Sequence, residues 1–143
     1  MTMVPAPLPP AGEVGLLARA RLAAEILAAY LPLARAVRTN DVRGMAAKAR
    51  AVRGVRRPTP PEREHETAVR LAGMVERTLS VLPTDNACLI RSLVTLRVLE
   101  HRSVPGRLVI GVMSDPNVTA HAWVEHDGKP VLDAGRYEPI LEL

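Results

Sequence analysis

Ala120-His121-Ala122-Trp123-Val124-Glu125-His126-Asp127-Gly128-Lys129-Pro130-Val131-Leu132-Asp133 is the stretch whose reading decides the fold of this chain. It predicts two short strands, 119–125 and 129–133, joined around His126-Asp127-Gly128, a hairpin signal. A three-residue loop with Gly128 in the left-handed conformation pairs Glu125 with Lys129, Trp123 with Val131 and His121 with Asp133. Opposite charges then face each other, and a carboxylate lies directly across from an imidazole. A two-residue Asp127-Gly128 turn would instead set Asp133 opposite Ala122, on the other face of the sheet. The pairing of charges favours the longer loop, and Asp133 joins His121 only in that register. Asp133 also has a plainer reading, as the residue that caps the turn into Ala134-Gly135.

Working outward, Arg107-Leu108-Val109-Ile110-Gly111-Val112-Met113 reads as a buried strand between the break at Pro105-Gly106 and a turn over 114–117. Upstream of it, Asp85 or Asn86 can cap a helix that begins near Ala87. That helix carries Leu89, Leu93, Leu96 and Leu99 on one face, with Ile90, Val94 and Val98 beside them. So wide an apolar surface marks a central, buried helix. Cys88 falls in its first turn, where unpaired backbone N–H groups and the positive end of the helix dipole favour thiolate over thiol. A thiolate is the nucleophile that acyl transfer needs, and a carboxylate holding one nitrogen of His121 would leave the other free to face it. The plainer readings are a small buried cysteine and a core histidine with a satisfied hydrogen bond.

The first half of the chain reads as helices. Residues 1–12 form a proline-rich tail, expected to be disordered. From Glu13 to about Leu31, Leu16, Leu17, Ala20, Ala24, Leu27 and Leu31 recur at the spacing of one buried face, and Pro32 predicts a break followed by a short helix to about Val37. Asp41 can cap a helix reaching Val52, with Val42, Met45, Ala46 and Ala49 inward. Residues 54–61 form a linker by composition. A helix over 61–81, started at Thr59-Pro60-Pro61, would bury Val69, Ala72, Leu79 and either Val75 or Met74, and Pro83 would end it. The expected organisation is a tail over 1–12, a helical region over 13–60 and a core over 61–143.

Composition narrows the function. A chain of 143 residues holds one core, and with no Phe and one Trp that core must be built from Leu, Val, Ile and Ala. The net charge of +4 comes mostly from arginine, since Lys48 and Lys129 are the only lysines. The arginines are dispersed, without aromatic platforms among them, so most are expected on solvated helix faces and nucleic acid is not an expected partner. A single cysteine allows neither an intramolecular disulfide nor a Cys-rich zinc site; no metal or cofactor is expected, and the free thiol suits the reducing cytoplasm. The most apolar stretch, 14–33, is interrupted by Arg19, Arg21, Glu25 and Pro32, and the N-terminus lacks the pattern of a signal peptide, so no membrane association is expected.

Taken in order, Cys88-Leu89-Ile90-Arg91-Ser92-Leu93, then Arg107-Leu108-Val109-Ile110-Gly111-Val112, then Ala120-His121-Ala122-Trp123-Val124-Glu125 with Gly128 behind it, resemble the transglutaminase-like leader peptidase of lasso peptide biosynthesis, over about residues 68–143. The resemblance implies an α+β fold, in which N-terminal helices precede a papain-like or transglutaminase-like core whose Cys-bearing helix packs on a small antiparallel sheet. It implies Cys88 as nucleophile, His121 as general base and then acid, and Asp133 as the orienting carboxylate. The implied substrate is a ribosomally made precursor peptide, cut between leader and core. The implied partners are a separate leader-recognition protein and an ATP-dependent lasso cyclase that closes the macrolactam.

Two features depart from the family pattern. Asn117-Val118-Thr119 lack an aromatic residue ahead of the histidine, and no glutamine stands at a papain-like distance before Cys88. The oxyanion would therefore be held by the Cys88 N–H and a second donor, for which Asn86 is the candidate; Trp123 is the candidate for substrate contact. Two other readings share the fold: an acyl transferase that passes the acyl group to an amine, and a non-catalytic binding module.

Overall fold

A computed structural model describes residues 15–39, 41–51, 58–82, 87–132 and 134–143. Four helices come first: α1 (Leu16–Thr39), α2 (Val42–Arg50), α3 (Glu64–Leu79, entered through a 3-10 turn at Pro61–Arg63) and α4 (Ala87–Glu100). Four strands follow: β1 (Arg107–Met113), β2 (Thr119–His126), β3 (Lys129–Pro130) and β4 (Glu138–Glu142). They form one antiparallel sheet in the order β3-β2-β1-β4. The architecture is α+β, with the helices in front of a small antiparallel sheet, as the sequence predicts.

The helix that bears Cys88 occupies the centre. Ile90, Leu93, Val94, Leu96, Val98 and Leu99 of α4 are all buried, so the helix is apolar nearly all round. Its buried hydroxyls are satisfied within the helix: Ser92 Oγ donates to the Cys88 carbonyl and Thr95 Oγ1 to the Arg91 carbonyl, each at 2.7 Å. Around α4 one apolar cluster takes in Ile26 and Leu33 of α1, Met45 and Ala49 of α2, Leu71 and Val75 of α3, and Leu108, Ala122, Val124 and Val131 of the sheet. The helices of residues 16–50 thus share the core of the Cys-bearing helix and the sheet.

Two helical faces differ from the sequence reading. The first helix runs unbroken through Pro32 to Thr39. Its buried stripe is Ile26, Ala29, Leu33 and Ala36, whereas Leu27 and Leu31 are 46% and 59% exposed. A proline removes one backbone bond, but here the same stripe packs on both sides of Pro32, and tertiary packing outweighs local propensity. In α3, Val69 is 41% exposed, and Ala68, Leu71, Ala72, Val75 and Leu79 are buried instead. The second helix follows expectation: Asp41 Oδ1 accepts from the Gly44 N–H at 2.8 Å, and Met45, Ala46 and Ala49 point inward.

Most arginines lie at the surface, but Arg50, Arg97 and Arg102 are half-buried and tie elements together. Arg102 closes a two-bond pair with Glu25 of α1, 2.9 Å per bond, and also donates to the Val98 carbonyl. Arg50 donates to the carbonyls of Gly106 and Leu143 at 2.8 Å each. Arg97 donates to the carbonyls of Lys48 and Ala49 at the end of α2, and burial pushes its guanidinium below its ordinary pKa.

The hairpin takes the shorter loop. His126 pairs with Lys129 and Glu125 with Pro130, leaving Asp127 and Gly128 as a two-residue turn with φ of 51° and 74°. Two positive φ values are what a type I′ turn requires, and Asp followed by Gly is among the pairs that adopt them most readily. The expected pairings of Glu125 with Lys129 and Trp123 with Val131 are therefore corrected, and the expected pairing of His121 with Asp133 falls on a residue outside the described ones. The Val131 N–H instead bonds the Val124 carbonyl at 3.0 Å, and both side chains enter the core. Beyond Pro130 the strand ends, shorter than the expected 129–133, and Asp133 lies outside the described residues. Asn86, the proline-rich tail, Pro83 and the first half of the 54–61 linker also lie outside them. Among the described residues no helix is long and apolar enough to cross a membrane.

Candidate active site

Cys88 is the second residue of α4, a free and half-buried cysteine in the turn whose N–H groups have no carbonyl one turn earlier in the helix. Cys88 therefore belongs to the N-terminal turn, the positive end of the dipole, of a fourteen-residue helix. His121 stands on β2 opposite Gly111 of β1. Side chains alternate along β2: Ala122 and Val124 join the core cluster under α4, and His121, Trp123 and Glu125 belong to the opposite face. Cys88 and His121 nevertheless line one cavity of about 290 Å³, which Glu76, Arg91, Ser92, Trp123 and Leu132 also border. Cysteine and histidine, 33 positions apart in the chain, thus both border one cavity.

The imidazole is held among rings. The His121 ring stacks on Trp123 at a centroid distance of 5.9 Å and meets Tyr137 at 4.9 Å, tilted by 34°. Trp123, 5% exposed, lies across β1 with its ring over Gly111, where a Cβ would come within 2.6 Å of Cη2. Only glycine leaves room for it there. Its indole Nε1 donates to Glu125 Oε1 at 3.1 Å. Trp123, the candidate for substrate contact, therefore borders the cavity with little surface to offer and supports the histidine.

The cavity also carries an ion pair. Arg91 lies one turn after Cys88 and donates to Glu76 Oε1 of α3 at 2.6 Å, which fixes α3 against the start of α4. Glu76, Arg91, Leu132 and Tyr137 complete the surroundings of Cys88 and His121. Of these only Arg91 stands out in the sequence, as part of the cysteine motif. Spacing relative to Cys88 gives no hint of Glu76 or Tyr137.

The buried histidine of β2 is structural. His126 is 2% exposed on the core side of β2, with Nδ1 2.8 Å from the Pro105 carbonyl, Nε2 3.4 Å from Asp127 and 3.7 Å from Glu64, and its ring stacked on His65. It does not border the cavity that holds Cys88. Among the described residues no group of three or more His, Cys, Asp and Glu side chains is placed to hold a metal ion.

A helix carrying cysteine in its first turn, packed on an antiparallel sheet whose second strand brings a histidine to the same cavity, has a counterpart among known families. A family model described as the transglutaminase-like superfamily matches residues 27–142. The chain belongs to the transglutaminase-like superfamily. Members of that superfamily are generally cysteine proteases or acyl transferases. The transglutaminase-like match starts within α1 and ends in β4, so it takes in α2, α3 and the whole sheet besides α4. No curated protein and no solved structure gives a significant match.

Proposed function

We propose that this chain is a cysteine peptidase that removes the leader from a ribosomally synthesised lasso-peptide precursor. The observation that carries the reading is the shared cavity of Cys88 and His121 at the start of α4. In the proposed reaction His121 takes the thiol proton and the Cys88 sulfur attacks the carbonyl carbon of the scissile peptide bond. The tetrahedral intermediate collapses as His121 returns the proton to the leaving amine. That amine is the new N-terminus of the core peptide. Water, deprotonated by His121, then attacks the thioester, releasing the leader carboxylate and the thiol.

Backbone N–H groups in the first turn of α4 are suited to hold the oxyanion, with Asn86 the proposed second donor and Asp133 the proposed orienting carboxylate. A cavity near 290 Å³ is at the small end for ligand sites and suits the one or two side chains flanking a scissile bond rather than a whole leader. This supports recognition of the leader by a separate protein, with the freed core passed to an ATP-dependent cyclase. The test is a mass-spectrometric cleavage assay with purified chain, precursor and cognate recognition protein. Wild-type chain should release the leader faster as recognition protein is added, and Cys88→Ala should release none while keeping its circular dichroism spectrum. Cleavage by Cys88→Ala at the wild-type rate would refute the assignment, and transfer of the leader acyl group to an added amine in preference to water would make the chain a transferase.

A further inference from the structure

A second, larger cleft lies on the other side of α3. It has a volume of about 1200 Å³ between the first turns of α1 and the α3 face that carries Arg70, Leu71, Met74 and Arg77, closed at one end by His101 and Arg102. The catalytic cavity is bordered by Ala72, Val75 and Glu76 of the same helix, and the two share no residue.

The cleft exists because the packing stripe of α1 outruns its cover. Ala36, Leu33, Ala29 and Ile26 are buried, Leu22 is half-buried, and Ala18, the next position of the stripe, is exposed. Leu22, Leu71 and Met74 give the cleft an apolar floor. Its rim is basic: Arg19, Arg21, Arg70, Arg77 and Arg102 face a single carboxylate, Glu25, both of whose oxygens are taken by Arg102. Arg19, Arg21, Arg70 and Arg77 are exposed and form no ion pair among the described residues; Arg77 reaches only the Met74 sulfur, at 3.8 Å.

We propose that this cleft docks an acidic amphipathic helix of a partner protein. Two walls that are themselves helices, with an apolar floor between them, suit a third helix packed by ridges into grooves. Four unpaired guanidinium groups along the rim select carboxylates on the flanks of that helix, giving it orientation and a fast, salt-sensitive encounter. A nucleic acid fits less well, because no Phe, Tyr or Trp borders the cleft for a base to stack on and the floor is aliphatic. The chain's own residues 1–14 adjoin the cleft in sequence but supply one carboxylate, Glu13, against four arginines. The inference does not rest on the peptidase reading, since the cleft and the catalytic cavity lie on different sides of α3.

The test uses the full chain, isotopically labelled, and a fluorescent peptide of roughly three heptads in which leucine forms one helical face and glutamate the rest. Anisotropy should report binding that weakens as salt rises. Amide shifts should gather at residues 17–25 and 70–78. Arg70→Glu combined with Arg77→Glu should weaken binding about tenfold or more, with the circular dichroism spectrum and Cys88 alkylation rate unchanged. A peptide with lysine in place of glutamate, and a single-stranded oligonucleotide, serve as competitors. The proposal is overturned if the acidic peptide does not bind, or if the oligonucleotide binds more tightly and loses affinity in the same double variant. Binding that appears only after residues 1–14 are deleted would assign the cleft to the chain's own N-terminus and overturn it equally.

Discussion

Replacing Gly111 by alanine tests the part of the active site that positions His121. The added Cβ would lie 2.6 and 2.7 Å from Cη2 and Cζ3 of Trp123 and 2.9 Å from the Glu138 carbonyl oxygen. Ordinary contact requires about 3.5 Å or more, so the indole must retreat by roughly an ångström. The carbonyl cannot yield as easily, because Glu138 is held in the β1–β4 ladder. Overpacking of this kind costs about 1–3 kcal/mol. Complete expulsion of the indole would expose roughly 200 Å² and cost near 5 kcal/mol at about 25 cal/mol per Å², which sets the upper bound. An expected loss of about 2–3 kcal/mol lowers the melting temperature by about 6–9 °C for a chain of this size. Trp123 is the single tryptophan, so its fluorescence reports the displacement directly, and a red-shifted emission should accompany the lower stability. Because His121 stacks on that ring, turnover should fall as well. An alanine variant with unchanged emission and a stability within about 0.5 kcal/mol of wild type would refute the placement of Trp123 over Gly111.

Gly73 provides the converse case, since a Cβ there meets nothing within 4 Å in the middle of α3, and Gly73→Ala should raise stability by about 0.5–1 kcal/mol through helix propensity; a fall in the melting temperature would contradict the open space. Tyr137 packs on His121, so Tyr137→Ala should lower kcat about tenfold with KM little changed while Tyr137→Phe stays near wild type; equal loss in both variants would assign the role to the hydroxyl instead. Asp133→Asn should lower turnover by several orders of magnitude while leaving peptide binding intact, and near-wild-type activity would remove Asp133 from the catalytic group.

The elements that the sequence reveals best are those whose side chains all obey one rule. In α4 apolar positions fall on nearly every side of the helix, and both the start of the helix at Ala87 and its central position follow directly. In β1 an apolar run bounded by Pro105-Gly106 and a turn gives the strand to the residue. The first helix is harder because it presents two aliphatic stripes. Ending the helix at Pro32 selects Leu16, Leu27 and Leu31; carrying it to Thr39 selects Ile26, Ala29, Leu33 and Ala36, a stripe that continues past the proline and is the one buried. Length, not hydrophobicity, separates the two stripes. The last strand is invisible for a different reason. Four of the five side chains of β4 are exposed, so no alternation marks it, and what holds it is backbone pairing, including the two bonds between Leu108 and Leu143 at 2.8 Å.

Cys88 and His121 stand out in the sequence as reactive side chains among apolar neighbours, and both border one cavity. Asp133 is a different matter. Its pairing with His121 depends on a loop of three residues, and the charge pair Glu125–Lys129 argues for that loop at the modest value of one cross-strand pair, about 0.2–1 kcal/mol. Against it stands the conformational preference of Asp127-Gly128 for two successive positive φ values, which the shorter turn satisfies and which also sets Val131 beside Val124 in the core. Burying Val131 contributes about 1.5–3 kcal/mol, more than the ion pair can return. Turn chemistry and core burial therefore choose the same register, and the strand that would have carried Asp133 across from His121 ends at Pro130. The chain then connects β3 to β4. Tyr137, which lies in that connection and packs on the imidazole, shows that this part of the chain runs close to the histidine.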